Sequence, residues 1–493
     1  MIYLVTIVVY LLGLLGVGVW KSRGVKTQDD IMVAGRRLGT GVLALTMLAT
    51  WVGTGSLLAG AGAGYNYGLA ALWFSIGAWM GIFILWFIAP RARAFASYTV
   101  PDLLETRYHP VAQTLATLVT IIAYTTIVAY QFRGGSLILN LTVDLDAVLT
   151  GWTGIDWPWG IIVTALVVIT YTGLAGMMSV VYTDVVNGVL LISGLVLATP
   201  FFLSDAGGFA QIYQSLPKSH FTLFGTLTPA EILGLGLPPL ALILAEANMY
   251  QRFFSARDAA TARRAVPIWI GLTIFVETLI VVLAVLGRVV YPDLSIATGE
   301  HEQILLVVLR NALPAGIAAV MLSAAVAIVV STGTSFLLVP ATNIVHDIYQ
   351  KRIRPEASQV TIVRLTRIVI IVLGIVAFIQ IQFFTSVLSM ALYAYTMYGA
   401  LTPAVLATFF WKRANAPGAI TSITGGMLTT FVWQFGVPRG WIPGLPDAIA
   451  SLDAVIPALL IAVVLLIVVS LATAPPPESK WRPFQNLEPG ENP

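Results

Sequence analysis

Apolar stretches long enough to cross a bilayer, about 17 to 25 residues each, recur from one end of this chain to the other. They fall at roughly 2–20, 41–64, 68–89, 113–139, 159–177, 182–203, 229–250, 264–291, 312–339, 361–382, 384–411, 416–436 and 453–473. In hydrocarbon a chain must satisfy its own backbone N–H and C=O groups, so runs of this length resolve as helices. Composition agrees: of 493 residues, 58% are hydrophobic and only 10% charged, with a mean hydropathy of +0.89. The fold class is therefore an all-α integral membrane protein of about 13 transmembrane helices. Cysteine is absent, which excludes disulfides, Cys-liganded zinc and thiol catalysis.

An odd number of spans puts the termini on opposite sides, and the cations say which. Lys21, Arg23, Lys26, Arg36 and Arg37 follow the first run, Arg91, Arg93 and Arg107 the third, and Arg252, Arg257, Arg263 and Arg264 the seventh. Lys351, Arg352, Arg354, Arg364 and Arg367 lie between the ninth and tenth, Lys412 and Arg413 after the eleventh, and Lys480 and Arg482 in the tail. All fall on one side. The opposite loops carry Asp144, Asp146, Asp156, Asp205, Asp293, Glu300 and Glu302 with few cations. The positive-inside rule then predicts an external amino terminus, a cytoplasmic carboxyl terminus and residence in the cell membrane. The first run has its positive charges after it, not before, so it reads as a retained span and not a cleaved signal.

Two runs carry residues that a helix tolerates poorly. The second contains Thr50-Trp51-Val52-Gly53-Thr54-Gly55-Ser56 and the seventh contains Gly234, Gly236, Pro238 and Pro239. Each interior Gly costs about 1 kcal/mol and each Pro about 3, so both runs are expected to unwind at these positions. Interrupted helices at matching positions of two halves point to an inverted-repeat transporter with its site at the breaks. The chain divides accordingly into a peripheral first helix and loop (1–40), a first five-helix repeat (41–203), an external connector (204–228), a second five-helix repeat (229–411), two peripheral helices (412–474) and a tail (475–493) that is Pro-rich and expected to be disordered. The ninth run adds Ser331-Thr332-Gly333-Thr334-Ser335. These hydroxyls share helix faces at three- and four-residue spacing. They suit either an oxygen-lined hole for a hard monovalent cation or close helix packing.

The pattern resembles the sodium:solute symporter family, which includes sodium/glucose, sodium/proline, pantothenate and sialic acid symporters. The stretches that carry the resemblance are ATWVGTG at 49–55, GLAGMMSVVYTDV at 173–185, QRFFSARD at 251–258, and the run from Ser331 to Asp347-Ile348-Tyr349. The resemblance implies a LeuT-type fold of five plus five helices and uptake driven by sodium as the coupling ion. It places a shared sodium site at the carbonyls of Ala49, Val52 and Ile328 and the hydroxyls of Ser331 and Thr332. A second sodium site, present in some members, would use Asp184, Ser331, Thr334 and Ser335. Asp184 also reads as a plain carboxylate at a helix start, favoured there by the dipole. Unwound turns supply carbonyls and hydroxyls replace lost water, which is the chemistry an alkali ion needs.

A solute beside the breaks would meet Thr50, Trp51, Thr54, Ser56 and Gly236. Trp51 departs from the small polar residue that several sugar and amino acid members show. Arg133 lies well inside the fourth run. It reads either as a carboxylate-binding group, as the sialic acid members suggest, or as a cation that snorkels or pairs with a helix-end carbonyl. Glu277 could carry a proton and Glu246 could pair with Asn248 and Arg252, and structural pairing accounts for both. The expected partners are a small polar organic solute, sodium and the lipid bilayer, with no nucleic acid, and the chain is expected to work as a monomer. His109, His220, His301 and His346 show no ligand spacing, and the absence of GxxxxGK[ST] argues against ATP. Proton coupling through Asp184 or Glu277 is the rival within transport. A transporter-like sensor is the rival outside it, and the short tail after Thr473 leaves no room for its signalling domain.

Overall fold

A computed structural model describes residues 2–22, 34–95, 99–174, 177–296 and 298–485. Arg23 and Lys26 of the first basic loop, Ala175 and Gly176 of the stretch at 173–185, and the tail beyond Gln485 lie outside these. Helices α1 (Ile2–Ser22), α2 (Thr40–Trp51), α3 (Ala61–Tyr67), α4 (Leu72–Phe95), α5 (Pro110–Val143), α6 (Trp159–Leu174) and α7 (Met177–Asp205) make the first part of the chain. The second part holds α8 (Pro229–Ala245), α9 (Ala247–Ser255), α10 (Ala259–Val290), α11 (Ala315–Thr342), α12 (Gln359–Gln380), α13 (Val387–Gly399), α14 (Thr402–Phe410), α15 (Ala416–Phe431) and α16 (Val455–Ala472). Eight helical stretches among the described residues are long and apolar enough to span a membrane, and 2–13, 40–51 and 159–173 are shorter apolar helices.

Helix α11 is deeply enclosed: its residues from Leu322 to Leu337 are all buried. It packs on α5, α7, α6 and α1. Helix α4 runs against both α8 and α10, and α15 and α16 pair with each other. The α4–α8 contact is very close. A Cβ added to Gly77 would stand 1.9 Å from the Gly236 carbonyl oxygen, and one on Gly81 would stand 2.1 Å from Ile243. Small residues let two helix backbones approach in this way.

That contact corrects one expectation. The second run does break where read: α2 stops at Trp51, Val52 turns to ψ 81°, and the chain resumes through a wide turn, Gly55–Gly60, into α3. The seventh run does not break at Gly234–Pro239. Helix α8 passes through all four residues and ends at Ala245, with Glu246 extended at ψ 113° before α9. The glycines serve close packing, and a proline within a membrane helix is tolerated when neighbouring helices cover the backbone it exposes. The eleventh run is likewise divided, into α13 and α14, at Ala400 and Leu401 before Pro403.

A backbone clasp joins the two broken helices at their basic end: Leu38 N–H donates to Ser255 O (3.1 Å) and Arg257 N–H to Leu38 O (3.0 Å). The tail also departs from expectation, because Glu478–Gln485 is helical. Phe484 is buried against Phe95 at 4.4 Å between centroids, and Lys412 sits over the Trp481 ring.

Candidate ion and solute site

The first break exposes backbone oxygen because of how its donors turn. Gly53 N–H bonds to Trp51 O at 3.0 Å and not to the carbonyl four residues back, which leaves Ala49 O without its helical donor. Directly opposite stands α11. A Cβ on Gly53 would lie 3.1 Å from Thr332 Oγ1 and 3.4 Å from Gln131 Nε2, so only glycine allows this approach without displacement. Thr332 Oγ1 and Gln131 Nε2 are both buried and have no hydrogen-bond partner among the described residues. Buried polar atoms are nearly always paired, and an unpaired one needs a reason. Ala49, Val52, Ile328, Ser331 and Thr332 are all buried, and the structure brings the break face to face with Thr332, while Ser331 is turned to Asp184.

Ser331 leads to a second cluster. Its hydroxyl donates to Asp184 Oδ1, while Asp184 Oδ2 accepts from Thr46 (3.1 Å), Thr50 (3.3 Å) and Arg252 (3.2 Å). Asp184 and Arg252 are each almost fully buried, and a buried carboxylate of this kind is tolerable only when paired and hydrogen-bonded. Arg252 also reaches Thr46 Oγ1 and Asn248 O. Thr334 is directed elsewhere, 3.2 Å from Thr172 Oγ1 on α6. Of the four residues read for a second ion, Asp184 and Ser331 are in contact.

Around the break, Thr54 donates to Gln131 Oε1 (2.5 Å). Trp51 Nε1 (2.9 Å) and Ser56 Oγ (3.2 Å) both donate to Glu277 Oε1 on α10, and Trp79 Nε1 on α4 donates to Oε2 (2.7 Å). The Trp51 ring lies 6.3 Å from Tyr395, which stacks on Phe74 at 5.9 Å. Arg133 points away from this group, to the carbonyls of Phe384 (3.2 Å) and Thr385 (2.6 Å) where α13 is about to begin. Gly236 packs on α4, where an added Cβ would stand 3.2 Å from Trp73 O.

Glu246, rather than Gly236, organises the second break. Fully buried, it accepts from Asn248 N (3.1 Å), Asn248 Nδ2 (2.9 Å), Met249 N (2.8 Å) and the Tyr124 hydroxyl. Two of these, the Asn248 and Met249 N–H groups, are donors that the start of α9 would otherwise leave unsatisfied. Asn248 is a partner as read; Arg252 goes to Asp184 instead. His346, read without ligand spacing, lies beside Asp347 (Nδ1 to Oδ1 2.8 Å) and near Asp102, an association between distant segments that no local spacing could reveal.

The sodium:solute symporter family model matches residues 31–426. The chain belongs to that family. Among curated relatives of this symporter, the osmoregulated proline transporter of Bacillus subtilis (strain 168) is 25% identical, with 98% of each chain covered. The sodium/proline symporter of Haemophilus influenzae is 26% identical over 98% of this chain and 97% of its own. A solved Na+-coupled sialic acid symporter, in a substrate-bound outward-open state, superposes with a TM-score of 0.76 at 21% identity, covering 96% of this chain and 98% of that one. A nucleobase-cation-symport-1 family transporter in a closed conformation gives 0.59 at 12% identity, covering 93% and 99%. These neighbours establish the LeuT-type fold. The symporter is thus a multi-pass membrane transporter that couples solute movement to sodium, and not an enzyme.

Proposed function

We propose that this symporter imports a small polar organic solute across the cell membrane, with sodium held by the carbonyls of Ala49, Val52 and Ile328 and the hydroxyls of Ser331 and Thr332. The observation that carries the reading is the buried, unpartnered Thr332 hydroxyl facing the Gly53 turn. A sodium ion accepts such an oxygen together with carbonyls released by unwinding, and pays for its dehydration with them. Asp184 and Ser331 form the second ion site, with Thr334 and Ser335 about one turn further along α11. A sodium there shares the Asp184 carboxylate with Arg252. The solute is framed by Thr50, Trp51, Thr54 and Ser56. The basic loops face the cytoplasm, all 13 spans read from the sequence cross the bilayer, and one copy of the chain suffices.

Thermal unfolding of the purified protein in sodium chloride against potassium chloride tests this. A bound ion stabilises by mass action, so the midpoint rises with sodium in the wild type and much less in Ser331→Ala. Equal curves in the two salts would refute the ion site.

A further inference from the structure

We infer that Glu277 is a specificity-determining residue and that the transported solute carries a positively charged nitrogen, an ammonium or quaternary ammonium, which Glu277 neutralises beside the aromatic faces of Trp51 and Tyr395. The inference rests on the proposed solute position at the first break and narrows it.

Three carboxylates lie buried in the described spans around the two breaks, and they are compensated differently. Asp184 has the Arg252 guanidinium at 3.2 Å. Glu246 sits at the amino end of α9, where backbone N–H groups and the helix dipole favour negative charge. Glu277 is 3% exposed and has neither. Its donors are the indoles of Trp51 and Trp79 and the hydroxyl of Ser56, with Ser75 also turned to it. Among the described residues no Lys, Arg or His forms an ion pair with it. Neutral donors solvate a carboxylate but leave its charge uncompensated, which is costly in a low-dielectric interior. An indole N–H can only donate, and one addresses each Glu277 oxygen. The donors fix both oxygens in place, and what the site lacks is a positive charge.

The kind of cation follows from the walls. A sodium ion requires several oxygen ligands, and here Glu277 and the two serines are accompanied by rings. Trp51, Tyr395 and Phe74 form a continuous aromatic cluster, with the Tyr130 hydroxyl 3.4 Å from that of Tyr395. An organic cation paired with this carboxylate would lie next to the Trp51–Tyr395–Phe74 cluster, whose ring faces attract positive charge. Two residues of the break, Trp51 and Ser56, hold Glu277 directly. A solute entering at the break thus meets this acid and the ion-binding turn together.

The test compares each nitrogen-bearing solute with its carbon isostere. Proline is set against cyclopentanecarboxylate, and glycine betaine against 3,3-dimethylbutanoate, by thermal stabilisation of the purified wild type in sodium chloride, with potassium chloride as the sodium-free salt. The expected result is stabilisation by at least one nitrogen-bearing member and none by its isostere. In Glu277→Gln the affinity for that solute should fall at least tenfold while the shift from sodium alone persists. Glu277→Asp, which keeps the charge, should retain part of the affinity. An isostere that binds as well, no response to either nitrogen-bearing solute, or unchanged affinity in Glu277→Gln overturns the inference. Because the isostere comparison uses the wild type, it stands even where a variant folds poorly. Loss of the sodium shift in the wild type overturns the symporter site instead, so the two failures are distinguishable.

Discussion

Between Trp51 and Gly55 the first broken helix crosses its gap on Val52, Gly53 and Thr54, with no charged side chain in the break itself. Between Ala245 and Ala247 the second crosses on a single glutamate that collects four hydrogen bonds. The second gap is satisfied from within the protein. The first leaves Ala49 O and Thr332 Oγ1 unclaimed. A helix can thus be interrupted in a membrane either by bringing its own partner for the freed groups or by leaving them open, and this fold does one at each break; the open one is where the proposed ion site lies. The difference also explains why small residues crowd the first break, where backbone must approach α11, and why Tyr124 of α5 reaches the second.

The contrast can be broken most forcefully at Glu246. Glu246→Ala strands several buried donors, each worth about 1–3 kcal/mol when unsatisfied, and should lower the sodium-free unfolding midpoint more than any change at the first break. An unaltered midpoint would mean the second gap is held by other means. Next in size is Ser331→Ala, which should raise half-saturating sodium in an uptake assay about tenfold or more, equivalent to roughly 1.4 kcal/mol, with a smaller change in sodium-free stability. Gly53→Ala comes third: the new Cβ at 3.1 Å from Thr332 forces a shift of tenths of an ångström, and sodium affinity should weaken a few-fold with stability nearly preserved. The smallest effect sharpens the comparison by moving the glutamate's capping role into water. Asp258 caps α10 through Thr261 N–H at 2.6 Å and is half exposed. That N–H, with Arg257 nearby, holds its carboxyl below the ordinary range. A depressed carboxyl stabilises the fold above its unfolded pKa of about 3.9 and loses that contribution as pH falls through its folded value. Asp258→Ala should cost only about 1 kcal/mol and remove a small part of the stability lost below pH 4.

How far the sequence carried the reading depends on what each residue was responding to. The helical membrane fold and the first break were legible, because apolar length and a cluster of Gly and Thr act locally. The position of the second break was not. Gly234, Gly236, Pro238 and Pro239 look like breakers when helix propensity is counted alone, yet they answer to the neighbouring α4. Glu246 marks the break because a buried acid demands N–H donors, and that demand shows only once α5 and α9 are in place. Arg133 was legible as a dilemma, and its contacts are with the carbonyls of Phe384 and Thr385. The tail misled through its prolines, while Trp481 and Phe484 were the residues that seek a surface. Glu277 stood out as a charge in an apolar run, but its indole partners lie 226 and 198 residues away in sequence.

The clasp between Leu38 and the Ser255–Arg257 segment carries a consequence for how the molecule works. Two main-chain bonds tether the interrupted helices where both emerge among the arginines, so a displacement of one at that end carries the other with it. The two behave there as one lever made from two rods.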